Sequence, residues 1–270
     1  MNHVLRQLLR RSFLMAGLCI ASVTHAQEGD VKINNIVLVH GAFTDGSCWN
    51  AVTGKLQALG YHVTAVQNSL TSLKEDVTIT ERVLARQKGN VLLVGHSWGG
   101  AVITQAGNDP RVKGLVYLSA ILPDSGESAA DALARHHNSP PAFRPDENGL
   151  IWLDEPEIFQ QVMANDIPQS QARILASVQQ PIAASAFSEK IIHAAWHEKP
   201  VWYVLTENDQ ALSPDVQRQF AKESHATTKQ INAGHLSMIS HPDDIVRVIS
   251  DAAEELSSNK KLVRHENTTY

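Results

Sequence analysis

The pentapeptide Gly95-His96-Ser97-Trp98-Gly99 follows directly on the apolar run Val91-Leu92-Leu93-Val94, and a helix-compatible stretch, Gly100 to Gly107, starts immediately behind it. A chain that leaves a buried strand and enters a helix within so few residues must turn sharply. Side chains at 95 and 99 would collide with that turn, so glycine stands at both. The serine at the apex then projects its Oγ above the sheet edge, in a strained backbone conformation. The following helix aims its first N–H groups and its positive dipole end at the same place. The plainer alternative is a glycine-rich turn with an incidental serine; the strand before and the helix behind favour the exposed nucleophile.

The rest of the chain repeats the alternation. Short, mostly apolar runs at Ile36–His40, Tyr61–Val66, Val91–Val94, Val112–Leu118 and Val201–Thr206 read as strands, several of them continuous enough to be buried on both faces, and Thr227–Ile231 reads as the last strand. Helical patterns fill the gaps at Trp49–Leu59, Asp76–Gln87, Gly100–Gly107, Pro214–Lys222 and Pro242–Leu256. This order predicts an α/β fold with a doubly wound, mostly parallel sheet. The pattern breaks between about 123 and 196, where Pro, Ala, Gln and polar residues dominate with no clear strand. That insertion reads as a helical cap on a domain spanning 27–260, followed by a polar, frayed tail over 261–270. There are no internal repeats.

The first 26 residues are set aside from the fold. Arg6, Arg10 and Arg11 precede a short apolar stretch, Phe13 to Val23, and Thr24-His25-Ala26 offers small residues around a cleavage point. This is the anatomy of an export signal, and its apolar stretch is too short to span a bilayer. Arg10-Arg11-Ser12-Phe13-Leu14 also fits a twin-arginine signal, so both that route and the general one stay open. The expected destination is the periplasm or the medium, with no stable membrane insertion once the signal is removed. Its loss takes three arginines and no acids, moving the formal charge from −5 to −8. An acidic surface argues against a nucleic-acid partner. Of the two cysteines only Cys48 remains, which excludes an intramolecular disulfide. Its default role is a small buried hydrophobe.

A serine hydroxyl needs a base, and in this architecture the order along the chain is nucleophile, acid, histidine. His235 lies in Ala233-Gly234-His235-Leu236, just past the last strand. Its rival His241 precedes Pro242 at a helix start and reads as a capping or packing residue. For the acid, Asp209 sits in the loop after Val201–Thr206; Glu207 is closer to the strand end, and Asp215 falls in a first helical turn. Two N–H donors are needed for an oxyanion. Trp98, directly after the serine, offers one. Ala42, in the loop His40-Gly41-Ala42-Phe43-Thr44-Asp45-Gly46 after the first strand, offers the other.

Remaining polar features carry less. His193 and His197 are spaced to share a helix face, but no third ligand accompanies them, so packing or surface roles are expected and no metal or cofactor. His136 and His137 read as solvated cap surface. Phe143, Trp152, Phe159 and Trp196 read mostly as cap core, with one or two free to line a pocket.

VLVHGAFTDGSCW (Val37–Trp49), GHSWGG (Gly95–Gly100), ENDQALSP (Glu207–Pro214) and GHLSMISHP (Gly234–Pro242) together resemble the α/β-hydrolase superfamily across essentially the whole mature chain. The first and last are similar to the branch of plant methylesterases, hydroxynitrile lyases and bacterial EstC-like esterases. Lyases of that type have threonine where Gly41 stands and lysine where Leu236 stands, so the resemblance implies ester cleavage. Haloalkane dehalogenases would need aspartate at 97, and dinucleotide-binding enzymes a glycine fingerprint this chain lacks. The expected partner is a small, fairly apolar ester. Lactones, amides and perhydrolysis would use the same residues, and a slow-turnover binding protein on this fold would keep them too. The oligomeric state is open.

Overall fold

The computed structural model describes residues 32–136 and 144–266. The proposed export signal, His137 and Phe143 lie outside them. The chain runs through β1 (Ile33–Val39), a 3-10 turn at Gly46–Trp49, α1 (Asn50–Ala58), β2 (His62–Ala65), α2 (Leu73–Ala85), β3 (Asn90–His96), α3 (Gly99–Ala106) and β4 (Val112–Leu118). The cap region follows with α4 (Ala129–Arg135), β5 (Leu150–Ile151), α5 (Pro156–Met163), α6 (Gln169–Ser177), β6 (Ile182–Ala183) and two 3-10 turns, Ala184–Ser188 and Ala195–His197. β7 (Val201–Thr206), α7 (Pro214–Glu223), β8 (Thr227–Ile231), α8 (Ser237–Ser240) and α9 (Pro242–Glu266) complete the chain.

The main sheet has six strands in the order β2-β1-β3-β4-β7-β8, and every pairing is parallel. β1, β3, β4 and β7 are almost wholly buried and mainly apolar, rich in Val, Leu and Ile with aromatics in β4 and β7, as suits strands with helices on both faces. Gly114 and Leu115 of β4 illustrate the two sides. A Cβ on Gly114 would touch Leu256 of α9, whereas Leu115 packs on Gly107 at the end of α3. Successive strand residues point to opposite faces, so α9 with its neighbour α1 covers one face, and α3 with its neighbour α2 the other. Edge strand β8 is mostly exposed and carries Thr227, Thr228, Lys229 and Gln230, which suits an unpaired edge.

Helix starts follow local chemistry. The Ser72 hydroxyl accepts from Glu75 N–H at the head of α2, and Ser128 with Asp131 forms a reciprocal capping box on α4. Pro occupies the first turn of α5 and of α7.

Two expectations change. The cap holds a short antiparallel pair, β5 with β6, in addition to helices. Two-residue strands are too brief to leave a period in the sequence. The last helix also runs past Leu256 to Glu266, through part of the stretch read as a frayed tail.

Because all six strands are parallel, the loops leaving their carboxyl ends gather on one edge of the sheet. Chain order reverses between β1 and β3, where such sheets leave a crevice. The loops after β1, β3, β7 and β8 are the ones that carry the residues singled out above.

Candidate active site

Ser97 stands between β3 and α3 with φ of +52°, a left-handed conformation uncommon for a residue with a side chain. Its carbonyl accepts from Gly100 N–H (2.9 Å) and Ile121 N–H (3.1 Å), which hold the strained turn. The flanking glycines are steric necessities. A Cβ on Gly95 would lie 2.5 Å from the Gly99 carbonyl oxygen, and one on Gly99 2.5 Å from that of Val39. Phe43, Leu70 and Ser119 also have positive φ (60°, 57° and 44°). Phe43 lies in the loop after β1, and Leu70 and Ser119 are hydrogen-bonded into the networks that hold Trp98 and Asp209, so strain gathers around this edge.

On the adjoining loops, His235 and Asp209 are both buried, and His235 Nδ1–H donates to Asp209 Oδ2 at 2.8 Å. The carboxylate is itself held on every side. Its Oδ2 also accepts from Thr206 Oγ1 and Gln217 Nε2, both at 2.9 Å, while Oδ1 accepts from Ala211 N–H (2.8 Å) and Leu212 N–H (2.9 Å). The rivals point elsewhere. Glu207 pairs with Arg218, as Asp215 does, and His241 is 36% exposed on its side chain and bonds to Ser240 Oγ.

His96, next to Ser97, donates from Nε2 to the His235 carbonyl at 3.0 Å, and the two rings lie 4.6 Å apart. Burial and the neighbouring His235 hold the His96 imidazole neutral by pushing its pKa well below the usual value. Thus the His235 loop is tied to the residue preceding Ser97. Among the described residues the Ser97 hydroxyl makes no hydrogen bond, to His235 or to any other group.

The loop after β1 closes over the elbow. A Cβ on Gly41 would lie 2.7 Å from Ser97 Cβ and 3.1 Å from His96 Nδ1, so this position admits no larger residue without displacement. His40 fixes the loop's shape: its Nδ1–H donates to the Gly41 carbonyl (2.8 Å), and Nε2 accepts from Asn68 N–H (2.9 Å). That arrangement requires a neutral ring, and burial lowers its pKa accordingly. Among the described residues neither Ala42 N–H nor Trp98 N–H is engaged by another group. Both flank the Gly41–Ser97 contact.

Two holding residues went unremarked in the sequence reading. Gln217, fully buried on α7, bonds to Asp209, Leu212 and Thr206 at once. Asp76, fully buried in the first turn of α2, accepts the Trp98 indole N–H on Oδ2 (2.9 Å) and Ser69 and Leu70 N–H on Oδ1 (2.8 and 3.0 Å). Each has an ordinary reason to occupy its place, a polar helix position and an acid near a helix N-terminus, so neither gave a distinct signal.

The chain from residue 36 to 248 matches the model of the alpha/beta hydrolase family. It belongs to that family. The hydrolase is 31% identical over 243 residues to alpha/beta hydrolase nvfD of Aspergillus novofumigatus, covering 82% of its own chain and 96% of the relative. It is 27% identical over 259 residues to the pyrethroid hydrolase of Sphingobium wenxiniae, covering 83% and 89%. Plant methylesterases are also among its relatives. In fold it resembles the crystal structure of polyneuridine aldehyde esterase, with a TM-score of 0.72 over 82% of this chain and all of the other, at 20% identity.

Of the other histidines, His193 and His197 take surface positions as expected, though not on a shared helix, whereas His136 differs from its sequence reading. His193 and His197 do not share a helix face. His193 precedes a 3-10 turn and His197 closes it, and they bind separate carboxylates, Glu198 (2.9 Å) and Asp124 (2.7 Å). Among the described residues no cluster suited to a metal ion occurs. His136 is not solvated surface: its side chain is 12% exposed, packs edge-on against Phe220 and pairs with Glu223. Of the cap aromatics, Phe159 and Trp196 are core, while Trp152 is 42% exposed and bonded to Asp146. Cys48 is buried and free, and burial pushes its thiol pKa strongly up, so it is inert as a nucleophile.

Proposed function

We propose that the hydrolase cleaves carboxylic esters of small, fairly apolar molecules through an acyl-enzyme, with Ser97 as nucleophile, His235 as base and Asp209 as the acid that orients it. The observation that carries this reading is the buried His235–Asp209 pair, 2.8 Å apart, tied through His96 to the strained turn at Ser97.

The chemistry runs as follows. Ser97 Oγ attacks the ester carbonyl carbon while His235 Nε2 takes its proton. Asp209 holds the imidazole in the tautomer with Nδ1–H and stabilises the imidazolium that forms. The carbonyl electrons move onto oxygen, which Ala42 and Trp98 N–H groups receive. The tetrahedral intermediate collapses, the alcohol leaves with the proton from His235, and water activated by the same base releases the acid. Every group required belongs to the chain. The tight fit of Gly41 against Ser97 and the apolar Leu236 beside the base support hydrolysis over cyanohydrin cleavage. The arginine-led apolar segment ahead of Gln27 supports export of the enzyme to the periplasm or medium.

The test is hydrolysis of p-nitrophenyl esters from acetate to decanoate by the wild type and Ser97→Ala. Turnover is expected for the wild type, and a loss of at least about 10³-fold for the variant. Ser97→Ala with full turnover overturns the reading. Wild-type binding without multiple turnover would favour a binding protein, and turnover of lactones or amides alone would move the substrate class.

A further inference from the structure

The turn between α5 and α6 grips both loops that carry the proposed acid and base. Asn165 Nδ2 donates to the Asn208 carbonyl (2.8 Å), next to Asp209. The Met163 carbonyl accepts Leu236 N–H (3.2 Å), on one side of His235. On the other side, Asp166 Oδ2 accepts Gly234 N–H and Ser240 Oγ–H, both at 2.7 Å. Both peptide neighbours of His235 are therefore held from the cap, while His96 holds its carbonyl from the core. The contact also explains the glycine before the base: a Cβ on Gly234 would lie 2.2 Å from Asn165 Oδ1 and 2.7 Å from Asp166 Oδ1.

Of these contacts the Asp166 carboxylate is the strongest. An N–H to carboxylate bond is shorter and roughly twice as strong as one between neutral groups. It also joins Gly234, in the loop before His235, to Ser240 at the end of α8, and so fixes the arc that carries His235. Its neighbour His241 lies 3.5 Å from the same oxygen.

We propose that Asp166 is a positioning residue for His235: from the cap, its carboxylate sets where the base sits over Ser97, so that the reactive geometry is complete only when the α5–α6 turn is seated. The proposal rests on the reading of Ser97, Asp209 and His235 as the catalytic residues. It makes the cap part of the proton-transfer apparatus as well as a cover for the substrate.

The experiment compares the wild type, Asp166→Ala, Asp166→Asn, Asp166→Glu and Ser97→Ala on p-nitrophenyl acetate, with thermal melts of each. Misplacing a base by about 1 Å costs up to roughly 100-fold in rate, so Asp166→Ala should lose about 10- to 100-fold in kcat with KM within about threefold. Asp166→Asn, whose amide oxygen can accept the same Gly234 N–H, should recover most of that loss. If Asp166→Ala does not fold, Asp166→Glu replaces it: the extra methylene displaces the loop and should lower kcat with KM kept. Wild-type kcat in a folded Asp166→Ala or Asp166→Glu, or a rise in KM alone, overturns the proposal and leaves Asp166 as a cap fastener. Ser97→Ala separates the two readings: if it is inactive while Asp166→Ala keeps full kcat, only the positioning role falls.

Discussion

Asp209 is useful to His235 only if it stays where the imidazole needs it, and a single hydrogen bond to a ring would not secure that. Gln217 supplies what is missing. Its Nε2 donates to Asp209 Oδ2 and the Leu212 carbonyl, and its Oε1 accepts Thr206 N–H, so one amide spans the strand end, the acid and the loop. An amide is suited to this because it offers donors and an acceptor together. Replacing it with Glu would set a second carboxylate against Asp209, where like charges in a buried space repel. Gln217→Glu should lower kcat at least about tenfold and cost about 1–3 kcal/mol of stability, read by ester turnover and urea unfolding. Unchanged values in both would show that Asp209 is held without it.

At the scale of elements, the link between α2 and the β3–α3 turn decides where Trp98 stands. Asp76 belongs to a helix on the periphery, yet its carboxylate reaches the indole of the residue after Ser97 and caps the Ser69–Leu70 bend. That bend is joined to the cap through Gln180, which donates to the Asn68 and Ser69 carbonyls, and Asn68 in turn holds His40. Loops after β1 and β3 thus share one support. Burial raises the Asp76 pKa even though these donors oppose it. Asp76→Ala would leave the indole and the Leu70 N–H buried without a partner, and the Ser69 N–H partly so. At about 1–3 kcal/mol for each orphaned group, the expected loss is several kcal/mol, with reduced turnover. Glu75→Ala, one residue away and partly exposed, should change stability by no more than about 0.5 kcal/mol. Equal effects from the two would refute the special role of Asp76.

For the whole molecule, two buried neutral histidines set the response to acid. His40 and His96 both have pKa values below the usual 6.5, chiefly because burial disfavours their charged forms. In the unfolded chain each takes up a proton near pH 6.5, whereas in the folded protein each resists. The unfolded state therefore binds more protons below that pH, and stability present above about pH 6.5 is lost as the pH falls, by up to about 1.4 kcal/mol per pH unit for each group. Urea unfolding at pH 7.5, 6 and 5 should give a falling midpoint. His96→Asn should give a shallower fall, whatever its effect at pH 7.5. A pH-independent midpoint in the wild type would sink this account.

The sequence determined much of this protein because its signals are local. Continuous apolar runs mark β1, β3, β4 and β7, and their alternation with helices dictates a parallel sheet whose carboxyl-end loops share an edge. Ser97, Asp209 and His235 could be picked out as candidates because each follows a recognisable strand. What the tertiary structure decided is which polar groups meet. Gln217, Asp76 and Asp166 act through contacts 8, 22 and 68 residues distant along the chain, and a helix residue's local surroundings do not reveal which distant group it will face. The same holds for His136, His193 and His197, whose partners come from packing and not from spacing. Glycine requirements divide likewise: that at 95 follows from a turn readable in sequence, while those at 41, 99 and 234 arise only when separate segments close on each other, as the end of β1 does on Gly99.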